Sequence, residues 1–209
     1  MVNPRDADWV CSPESGVDRL MLDRIGDEVA RATSIVRYAP GSSFPEHTHS
    51  KGEEFLVLAG VFSDESGDYP TGMYVRNPPG SSHGPCSTDG CRILVKLRQF
   101  DPGDLAHVVI DSRDENSWQS ASDTLARLPL HTYGSESVEM LRMVAGGVID
   151  LAPGEGGVEL LVVSGSVTCG DRPLGNESWL RLPQGSPGNL VANEATIIWL
   201  KRGHLPPAL

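Results

Sequence analysis

Long apolar runs are missing from this sequence. No stretch approaches the roughly 18 consecutive apolar residues of a transmembrane helix, and the N-terminus, Met-Val-Asn-Pro-Arg-Asp-Ala-Asp, has none of the apolar core of a signal peptide. These two absences exclude the usual patterns of membrane insertion and secretion. We therefore expect a soluble, cytoplasmic protein with no membrane partner.

Cysteine is also scarce. The four cysteines, Cys11, Cys86, Cys91 and Cys169, are too few and too scattered to form the disulfide framework of a small secreted domain. Cys86 and Cys91 lie close together, and two interpretations of this pair are open. They are partly buried free thiols, or one of them is a redox-sensitive thiol beside the histidine cluster described below.

Basic residues are in the minority. Lysine and arginine together number 17 against 28 aspartate and glutamate residues, which gives a net charge of −11. Neither half of the chain is basic, whereas a protein that binds the phosphate backbone of nucleic acid needs a positively charged surface. We therefore expect no nucleic-acid partner.

A helical pattern is absent too, since no segment keeps a helical period beyond one turn. Short runs rich in β-branched residues alternate with turns, in a chain that has 23 glycines and 16 prolines. This pattern is typical of an all-β sandwich or barrel. The predicted strands are Leu20–Ile25, Ala32–Tyr38, Phe44–His49, Glu53–Ala59, Val61–Ser63, Gly72–Arg76, Cys91–Arg98 and Val108–Asp111.

The residues with metal-binding chemistry lie between Gly41 and His83. His47 and His49 are one residue apart on a predicted strand, where alternation places both side chains on the same face. Glu53 follows a short Ser-Lys-Gly loop, and His83 follows a Pro-Pro-Gly turn. Three imidazoles and one carboxylate suit a divalent transition-metal ion that keeps open coordination positions. We therefore predict that these three histidines and Glu53 bind one metal ion, while the pattern assigns no catalytic residue.

The spacing of these residues resembles the two cupin motifs. The first motif has Gly, five residues, His-x-His, three or four residues, Glu, six residues and Gly, and the second has Gly, five residues, Pro-x-Gly, two residues, His, three residues and Asn. The matching residues are Gly41, His47, His49, Glu53 and Gly60 for the first motif, and Gly72, Pro78, Gly80 and His83 for the second. The final asparagine is replaced by Ser87, and since that position is not a metal ligand, the departure concerns the loop after His83.

Within the cupins, the amino-acid sequences of two segments are similar to those of the ChrR-like group. The segments are Gly52 to Gly60, Gly-Glu-Glu-Phe-Leu-Val-Leu-Ala-Gly, and Gly72 to His83, which has the pattern Gly-x-Tyr-x-Arg-x-Pro-x-Gly-Ser-x-His. The resemblance implies a cupin barrel, a double-stranded β-helix of jelly-roll type. It also implies a bound zinc or iron ion, with manganese and nickel as further candidates.

Two functions are implied by this resemblance, because the group includes the regulatory domain of an anti-sigma factor and metal-dependent dioxygenases. In the first hypothesis, the chain is a regulator that responds to stress, an oxidant or a small molecule and acts on a protein partner in transcription. The cupin begins close to Met1, so we expect no helical sigma-binding domain here, and such a regulator would act through a separate partner or as a free-standing sensor. In the alternative, the chain is an Fe(II)-dependent dioxygenase that cleaves a small dicarbonyl or hydroxyketone.

The second half of the chain repeats the first. An offset of 105 residues places Glu54 on Glu159 and Gly60 on Gly165. The same offset aligns Pro78-x-Gly-Ser with Pro183-x-Gly-Ser and Ile93-x-x-Lys with Ile198-x-x-Lys. So many matches at one offset indicate a duplicated domain.

The second copy lacks the metal-binding segment. Upstream of Glu54 the offset becomes 113, because Ala39-Pro-Gly corresponds to Ala152-Pro-Gly, and the difference between the two offsets is a deletion that removes the His47 and His49 segment. The counterparts of Glu53 and His83 are Val158 and Gly188. We predict two tandem cupin barrels, a metal-binding one in residues 1–105 and a degenerate one without metal ligands in residues 106–209, and we expect a homodimer.

Other polar and aromatic residues receive structural interpretations. Glu54 lies next to Glu53, so alternation points its side chain to the other face, and its repetition as Glu159 favours a structural ion pair. Arg76 and Arg181 are repeated in the same way. The histidines expected at the surface are His107, His131 and His204. Trp179 and Trp199 are expected to fill the second barrel, with a small-ligand pocket as the alternative. Phe55 and Tyr74 line either a barrel wall or a substrate pocket.

Overall fold

The computed structural model describes residues 1–3, 7–26 and 30–205. Within these residues it contains 22 β-strands and one short 3₁₀ segment, Glu115–Ser117. The predicted all-β class is therefore confirmed. No helix in the described part of the chain has the length and hydropathy needed to cross a bilayer.

The chain forms two compact units. The first barrel is Asp8–Arg113, and the second barrel is Asp114–Leu209 together with Met1–Ala7. The strands of the first barrel are β1 (Trp9–Cys11), β2 (Val17–Ile25), β3 (Arg31–Tyr38), β4 (Ser42–Ser43), β5 (His47–Thr48), β6 (Glu53–Asp64), β7 (Gly67–Pro70), β8 (Met73–Asn77), β9 (Ser82–His83), β10 (Cys86–Ser87), β11 (Cys91–Leu97) and β12 (Val108–Asp111).

The strands of the second barrel follow in the same manner. They are β13 (Gln119–Ser122), β14 (Leu125–Tyr133), β15 (Glu136–Met143), β16 (Val148–Asp150), β17 (Val158–Ser164), β18 (Val167–Cys169), β19 (Arg172–Leu174), β20 (Trp179–Leu182), β21 (Asn189–Ala192) and β22 (Thr196–Arg202). Val2 forms an isolated antiparallel bridge with Trp179, which ties the N-terminal residues to this unit.

The two barrels share one strand order. The first has the path β1-β2-β3-β11-β6, with β8 on the far side of β6, and the second has β13-β14-β15-β22-β17-β20. All neighbouring strands are antiparallel. The small sheet β16-β21-β18-β19 of the second barrel corresponds to β4, β10, the end of β6 and β7 in the first. The predicted fold of tandem cupin barrels is confirmed.

Strand β6 bends from one sheet to the other at Gly60. Its first half pairs with β8 and β11, and its second half pairs with β7 and β10. Gly60 has a φ of 75°, and a Cβ atom there would lie 2.1 Å from the carbonyl oxygen of Gly90. Only glycine fits this close approach. The sequence predicts two strands here, Glu53–Ala59 and Val61–Ser63, whereas the bend joins them into one.

The core of the first barrel consists of the inward side chains of these strands. Phe55 and Phe62 have ring centroids 4.7 Å apart, and Tyr38 meets Phe62 edge to face at 5.6 Å. The buried members of this cluster are Val17, Val36, Tyr38, Phe55, Val57, Phe62, Tyr69, Val75, Cys91, Ile93 and Val95. Phe55 thus belongs to the barrel wall, which decides between the two interpretations of this residue.

The predicted strand Phe44–His49 is wrong in its extent. Only His47–Thr48 form a strand, β5, and they pair with the two residues of β9 alone. Pro45 interrupts the segment because proline has no amide hydrogen to donate to a ladder. His49 follows β5, and its amide donates instead to the carbonyl of Ser81 over 2.8 Å.

Candidate metal centre

Two short strands and the start of a long one bring the predicted metal ligands together. His47 in β5 and His83 in β9 are direct antiparallel partners, so their side chains are neighbours on one face. His49 lies two residues beyond His47, and Glu53 is the first residue of β6. The convergence therefore depends on the register of β5 against β9.

The four side chains meet at a single point. One ligand atom from each of His47, His49, Glu53 and His83 lies within 4.8 Å of all the others. The Nε2 atoms of His47 and His49 are 3.3 Å apart, and Glu53 Oε2 lies 3.4 Å from Nε2 of both His49 and His83. His49, Glu53 and His83 are buried, and His47 is partly exposed. The structure thus brings together all four residues that the sequence selects.

Each imidazole is held through its Nδ1 atom. His47 Nδ1 lies 2.9 Å from the carbonyl oxygen of Pro45, and His83 Nδ1 lies 3.1 Å from Asp64 Oδ2. His49 Nδ1 lies 3.0 Å from the hydroxyl oxygen of Ser81. Since a carbonyl and a carboxylate only accept, His47 and His83 carry the proton on Nδ1.

The same tautomer holds for His49. The Ser81 hydroxyl donates its hydrogen to the carbonyl of Pro78 over 2.7 Å, so its oxygen accepts from the His49 Nδ1–H group. In their neutral forms, all three rings therefore direct the lone pair of Nε2 toward Glu53. Asn77 Nδ2 donates to Glu53 Oε2 over 3.3 Å, which orients this carboxylate. Partners of this kind are typical of histidines that bind metals.

This arrangement fits a divalent cation. Three nitrogen lone pairs and a carboxylate oxygen face one another, and the buried Nε2 atom of His83 has no hydrogen-bond partner among the described residues. Such an atom is costly unless a positive charge or a proton donor satisfies it. Burial lowers the pKa of His49, against the opposing effect of the Glu53 carboxylate, which favours the neutral imidazole that a metal requires.

A cavity of about 260 Å³ adjoins the cluster inside the first barrel. Most of its wall is apolar and includes Val36, Phe44, Phe62 and Ile93, while three arginines, Arg19, Arg24 and Arg98, also line it. An apolar cavity with a few convergent polar groups is the usual form of a site for a small organic molecule.

Tyr38 contributes a hydroxyl group to this cavity. Its side chain is buried, lines the cavity and makes no hydrogen bond to any residue that the structure describes. Burial, reinforced by the nearby Glu53 carboxylate, raises the pKa of Tyr38 far above its usual value. The phenol therefore keeps its proton and can donate a hydrogen bond into the cavity.

Sequence reasoning missed the partners that hold the histidines and the polar residues of the cavity. Asp64 lies in a turn-rich stretch that the sequence assigns to a loop, and nothing in the pattern links it to His83. Ser81 belongs to the matched Gly-Ser-x-His segment but has no role in the motif spacing. Arg98 could have been found from the sequence, because the first repeat has an arginine where the second repeat, at an offset of 105, has Gly203.

The interpretation of Glu54 as a structural residue is confirmed. Its Oε2 atom accepts hydrogen bonds from Tyr74 Oη over 2.7 Å and from Arg76 over 2.6 Å, and Arg76 also donates to Asp104 over 2.6 Å. The guanidinium lies 3.9 Å from the ring centroid of Phe100. These residues form a buried network outside the cavity, and Tyr74 belongs to it.

Not every predicted surface histidine is exposed. His107 is exposed, but the side chain of His204 is only 1% exposed and its Nε2 lies 2.9 Å from Glu159 Oε2. The surface prediction for His204 is therefore wrong. Glu159 also accepts from Trp179 Nε1 over 2.8 Å, in the way that Glu54 accepts from Tyr74, and this explains why the repeated glutamate is retained without metal ligands.

The cysteines are all free thiols. Cys91 is buried in the core, and burial raises the pKa of its thiol to about 11. A thiol of this kind stays protonated at neutral pH and reacts slowly. Between the two interpretations of the Cys86 and Cys91 pair, the environment of Cys91 favours a buried free thiol.

Comparisons with known proteins agree with this geometry. Residues 1–101 match the family model described as the ChrR Cupin-like domain. A protein from Nostoc punctiforme, provisionally described as a dioxygenase, has a similar structure with a TM-score of 0.75 and 15% identity, over 93% of this chain and 76% of that one.

Two further solved structures share the fold. Bacterial pirin YhhW from Escherichia coli, solved with nickel(II), has a TM-score of 0.71 and 14% identity over 99% of this chain and 98% of that one. Salicylate 1,2-dioxygenase from Pseudoaminobacter salicylatoxidans, solved as adducts with gentisate, has a TM-score of 0.63 and 14% identity over 82% and 68%. No curated protein matches this sequence.

Proposed function

Since this chain is a member of the cupin superfamily, we propose that its first barrel binds one divalent transition-metal ion and acts as a dioxygenase on a small dicarbonyl or hydroxyketone. The metal ligands in this proposal are His47, His49, Glu53 and His83. The observation that carries it is the convergence of three Nε2 atoms and one carboxylate within 4.8 Å, beside a cavity of about 260 Å³. Catalytic metal sites differ from structural ones in leaving room for a substrate.

We assign Fe(II) to this function, and zinc, manganese and nickel compete for the same ligands. When bound, Fe(II) supplies Lewis acidity and redox chemistry with dioxygen. The protein supplies fixed ligands, because the Nδ1–H groups of His47, His49 and His83 are all held by acceptors. Fixed ligands with oriented partners bind metal more tightly than free ones.

The cavity wall acts on the substrate. Its apolar side chains, among them Val36, Phe44 and Phe62, exclude water and hold the hydrocarbon part of the substrate. Tyr38 donates a hydrogen bond from its protonated hydroxyl to a substrate oxygen, which orients the substrate beside Glu53. No residue of the wall needs to change its protonation state for this role.

Metal content and dioxygen uptake test the proposal. Purified protein is loaded with Fe(II), Zn(II), Mn(II) or Ni(II) in turn, desalted and measured by elemental analysis, with His47→Ala as the comparison. We expect about one ion per chain in the wild type and a large loss in the variant. The Fe(II)-loaded protein is then tested for dioxygen uptake with heptane-2,4-dione, and equal metal content in both proteins would overturn the ligand assignment.

A regulatory function is the second candidate, and the match of residues 1–101 to the ChrR Cupin-like domain favours it. In that case the same site binds a signal molecule and passes the change to a protein partner in transcription. Metal binding without dioxygen uptake, together with co-purification of a sigma factor from cells, would support the regulator. Uptake that depends on Fe(II) and on the diketone would support the enzyme.

A further inference from the structure

The cavity of the first barrel is positively charged, although the chain as a whole has a net charge of −11. Among the residues that the structure describes, its charged lining apart from the histidines consists of Arg19, Arg24, Arg98 and one carboxylate, that of Glu53. If Glu53 serves the metal site, the guanidinium groups remain as the charges that face a ligand. Arginine in a partly enclosed apolar site is suited to binding a carboxylate.

Arg98 is held in a conformation that favours glycine. Its φ is 61°, a left-handed value that costs a non-glycine residue free energy. The backbone is locked there because the Arg98 amide donates to the carbonyl of Gly52 over 3.0 Å, and the guanidinium reaches Ser50 Oγ over 2.9 Å.

The second barrel supplies an internal control for this position. The counterpart of Arg98 is Gly203, which has a φ of 70° and whose amide donates over 3.0 Å to Gly157, the counterpart of Gly52. The backbone geometry is therefore the same in both barrels. The barrel without the histidine cluster uses the relaxed residue, and the barrel with the cluster carries a strained arginine whose side chain lines the cavity.

Arg19 shows a second contrast between the barrels. Its strand partner is Val36, and the equivalent pair in the second barrel is Arg127 and Leu141. There, Arg127 donates to both carboxylate oxygens of Glu139 over 2.7 Å.

The first barrel has Ser34 where the second has Glu139. Arg19 lies 5.8 Å from the ring centroid of Phe44, and no carboxylate among the described residues is within ion-pairing distance of Arg19 or of Arg98. The arginine that is neutralised by an internal acid in the second barrel is thus available to a ligand in the first.

We infer that the cavity selects an anionic organic ligand, in which a carboxylate binds Arg98 and Arg19 while the remainder of the molecule reaches the histidine cluster. This inference rests on the proposed function, since it places the dicarbonyl or hydroxyketone end of the substrate at that cluster. It adds the substrate class, a keto or hydroxyketo carboxylate with a short apolar chain. A neutral diketone lacks the group that the two arginines bind.

Two probes that differ only in the carboxylate test the inference. They are 4,6-dioxoheptanoate and heptane-2,4-dione, which share the diketone and the chain length. Their dissociation constants are measured by calorimetry at low salt with the metal-loaded protein. Because charge-assisted hydrogen bonds are lost with the carboxylate, we expect the acid to bind at least about tenfold more tightly in the wild type.

Arg98→Gly is the decisive variant. Glycine is the residue that the second barrel uses at this position, so the backbone is relaxed and folding is retained, as the thermal midpoint and metal content will verify. We expect the acid to lose about tenfold in affinity or more while the neutral diketone is unaffected. Arg98→Lys should recover part of the loss because it keeps the charge.

Arg19→Gln should weaken binding of the acid in the same selective way. Arg37→Gln is the matched control, because Arg37 pairs with Asp18 and does not line the cavity, although the change in net charge is the same. We expect this control to bind both probes as the wild type does.

Equal affinities of the two probes in the wild type, or an unchanged acid affinity in Arg98→Gly, would overturn the inference. Failure of the proposed function gives a different result, since metal binding or dioxygen uptake is then absent, while the effect of Arg98→Gly on acid affinity can still be measured with the metal-free protein. Loss of affinity for the acid alone in Arg37→Gln would mean that net charge, and not the cavity, determines the preference.

Discussion

At the scale of single residues, motif spacing predicted the four converging side chains but not the groups that orient them. The spacing is a property of the local sequence, and the motif residues lie in or next to β5, β9 and β6, which bring them together in the fold. The acceptors for the histidine Nδ1 atoms come from three separate segments, through Pro45, Ser81 and Asp64. Their positions depend on tertiary packing, which no spacing rule contains.

Asp64 is the orienting residue with the largest expected effect. Its Oδ2 atom accepts from His83 Nδ1, and its side chain is only 5% exposed. Asn in place of Asp64 removes the negative charge that would make His83 a stronger ligand in the proposed metal site. We expect Asp64→Asn to weaken metal affinity about 10- to 100-fold, as measured by competition with a chromogenic chelator.

The control for this change lies in the same hairpin. Asp68 accepts from Ser63 Oγ over 2.7 Å at the exposed surface, so Asp68→Asn makes the same chemical substitution away from the cluster. It should leave the metal affinity unchanged. A wild-type affinity in Asp64→Asn would mean that the His83 tautomer does not depend on this carboxylate.

Cys91 gives a pH-dependent prediction. Burial raises the pKa of its thiol from an ordinary value of 9.0 to about 11 in the folded chain, so between these values the unfolded chain loses the proton first. The contribution of the protonated Cys91 thiol to the free energy of unfolding is complete below about pH 9 and is lost as the pH rises toward 11. Two pKa units correspond to about 2.7 kcal/mol in the free energy of unfolding.

Urea unfolding at pH 8 and pH 10.5 measures this effect. Tyrosines of the unfolded chain also lose protons in this range, so the comparison is with Cys91→Ala, which should lose about 1 to 3 kcal/mol less than the wild type over the interval. Cys11→Ala changes an exposed thiol and should behave as the wild type. Parallel losses in all three proteins would contradict the raised pKa of Cys91.

At the scale of strands, turn chemistry and β-branched runs predicted the long elements well. Ala32–Tyr38 and Cys91–Arg98 correspond closely to β3 and β11. The segment Phe44–His49 was predicted too long, since proline breaks its ladder and only β5 pairs with β9. The cluster of three histidines and Glu53 thus depends on a two-residue strand pair, whose stability comes from tertiary contacts and not from its own propensity.

Gly60 controls the bend of β6, and substitution with alanine tests it. Gly60→Ala adds both the cost of a positive φ and a contact of 2.1 Å with the carbonyl oxygen of Gly90. Gly41 has nearly the same φ, 74° against 75°, but its Cβ position has nothing within 4 Å. The difference between the two variants therefore isolates the steric contact.

We expect Gly41→Ala to cost about 1 kcal/mol in the free energy of unfolding. Gly60→Ala should cost about 3 kcal/mol or more, because a backbone oxygen must move. Urea denaturation of both variants measures the two values. Similar losses would show that the backbone around Gly90 relaxes at little cost.

At the scale of the whole chain, the duplication read from the sequence appears as one strand order used twice. The two-stranded sheet of β5 and β9 belongs to the first copy, and the deletion removes its counterpart from the second. At the start of β17, Val158 takes the place of Glu53 and is buried in an apolar cluster. The change of offset from 105 to 113 predicted this difference, because it located the deletion in the second copy.

Hydrogen exchange measures whether the two copies differ in metal binding. A ligand that binds only the folded state lowers the population of locally opened states around its site. The Gly80 amide bonds to the His49 carbonyl and the His49 amide to Ser81 over 2.8 Å, so both amides report on the cluster. We expect added metal to slow exchange in β5, β9 and the start of β6, and to leave β17 unchanged.

The His47→Ala protein is the reference for this experiment. We expect this variant to keep the strands of both barrels but to lose one imidazole, so metal should slow exchange in neither copy. Protection of β17 equal to that of β6 in the wild type would place a binding site in the second barrel, where an apolar residue at position 158 offers no ligand. The strand order is the same in both copies. Slower exchange in the first barrel alone would therefore assign metal binding to the side chains of the cluster and not to the barrel fold.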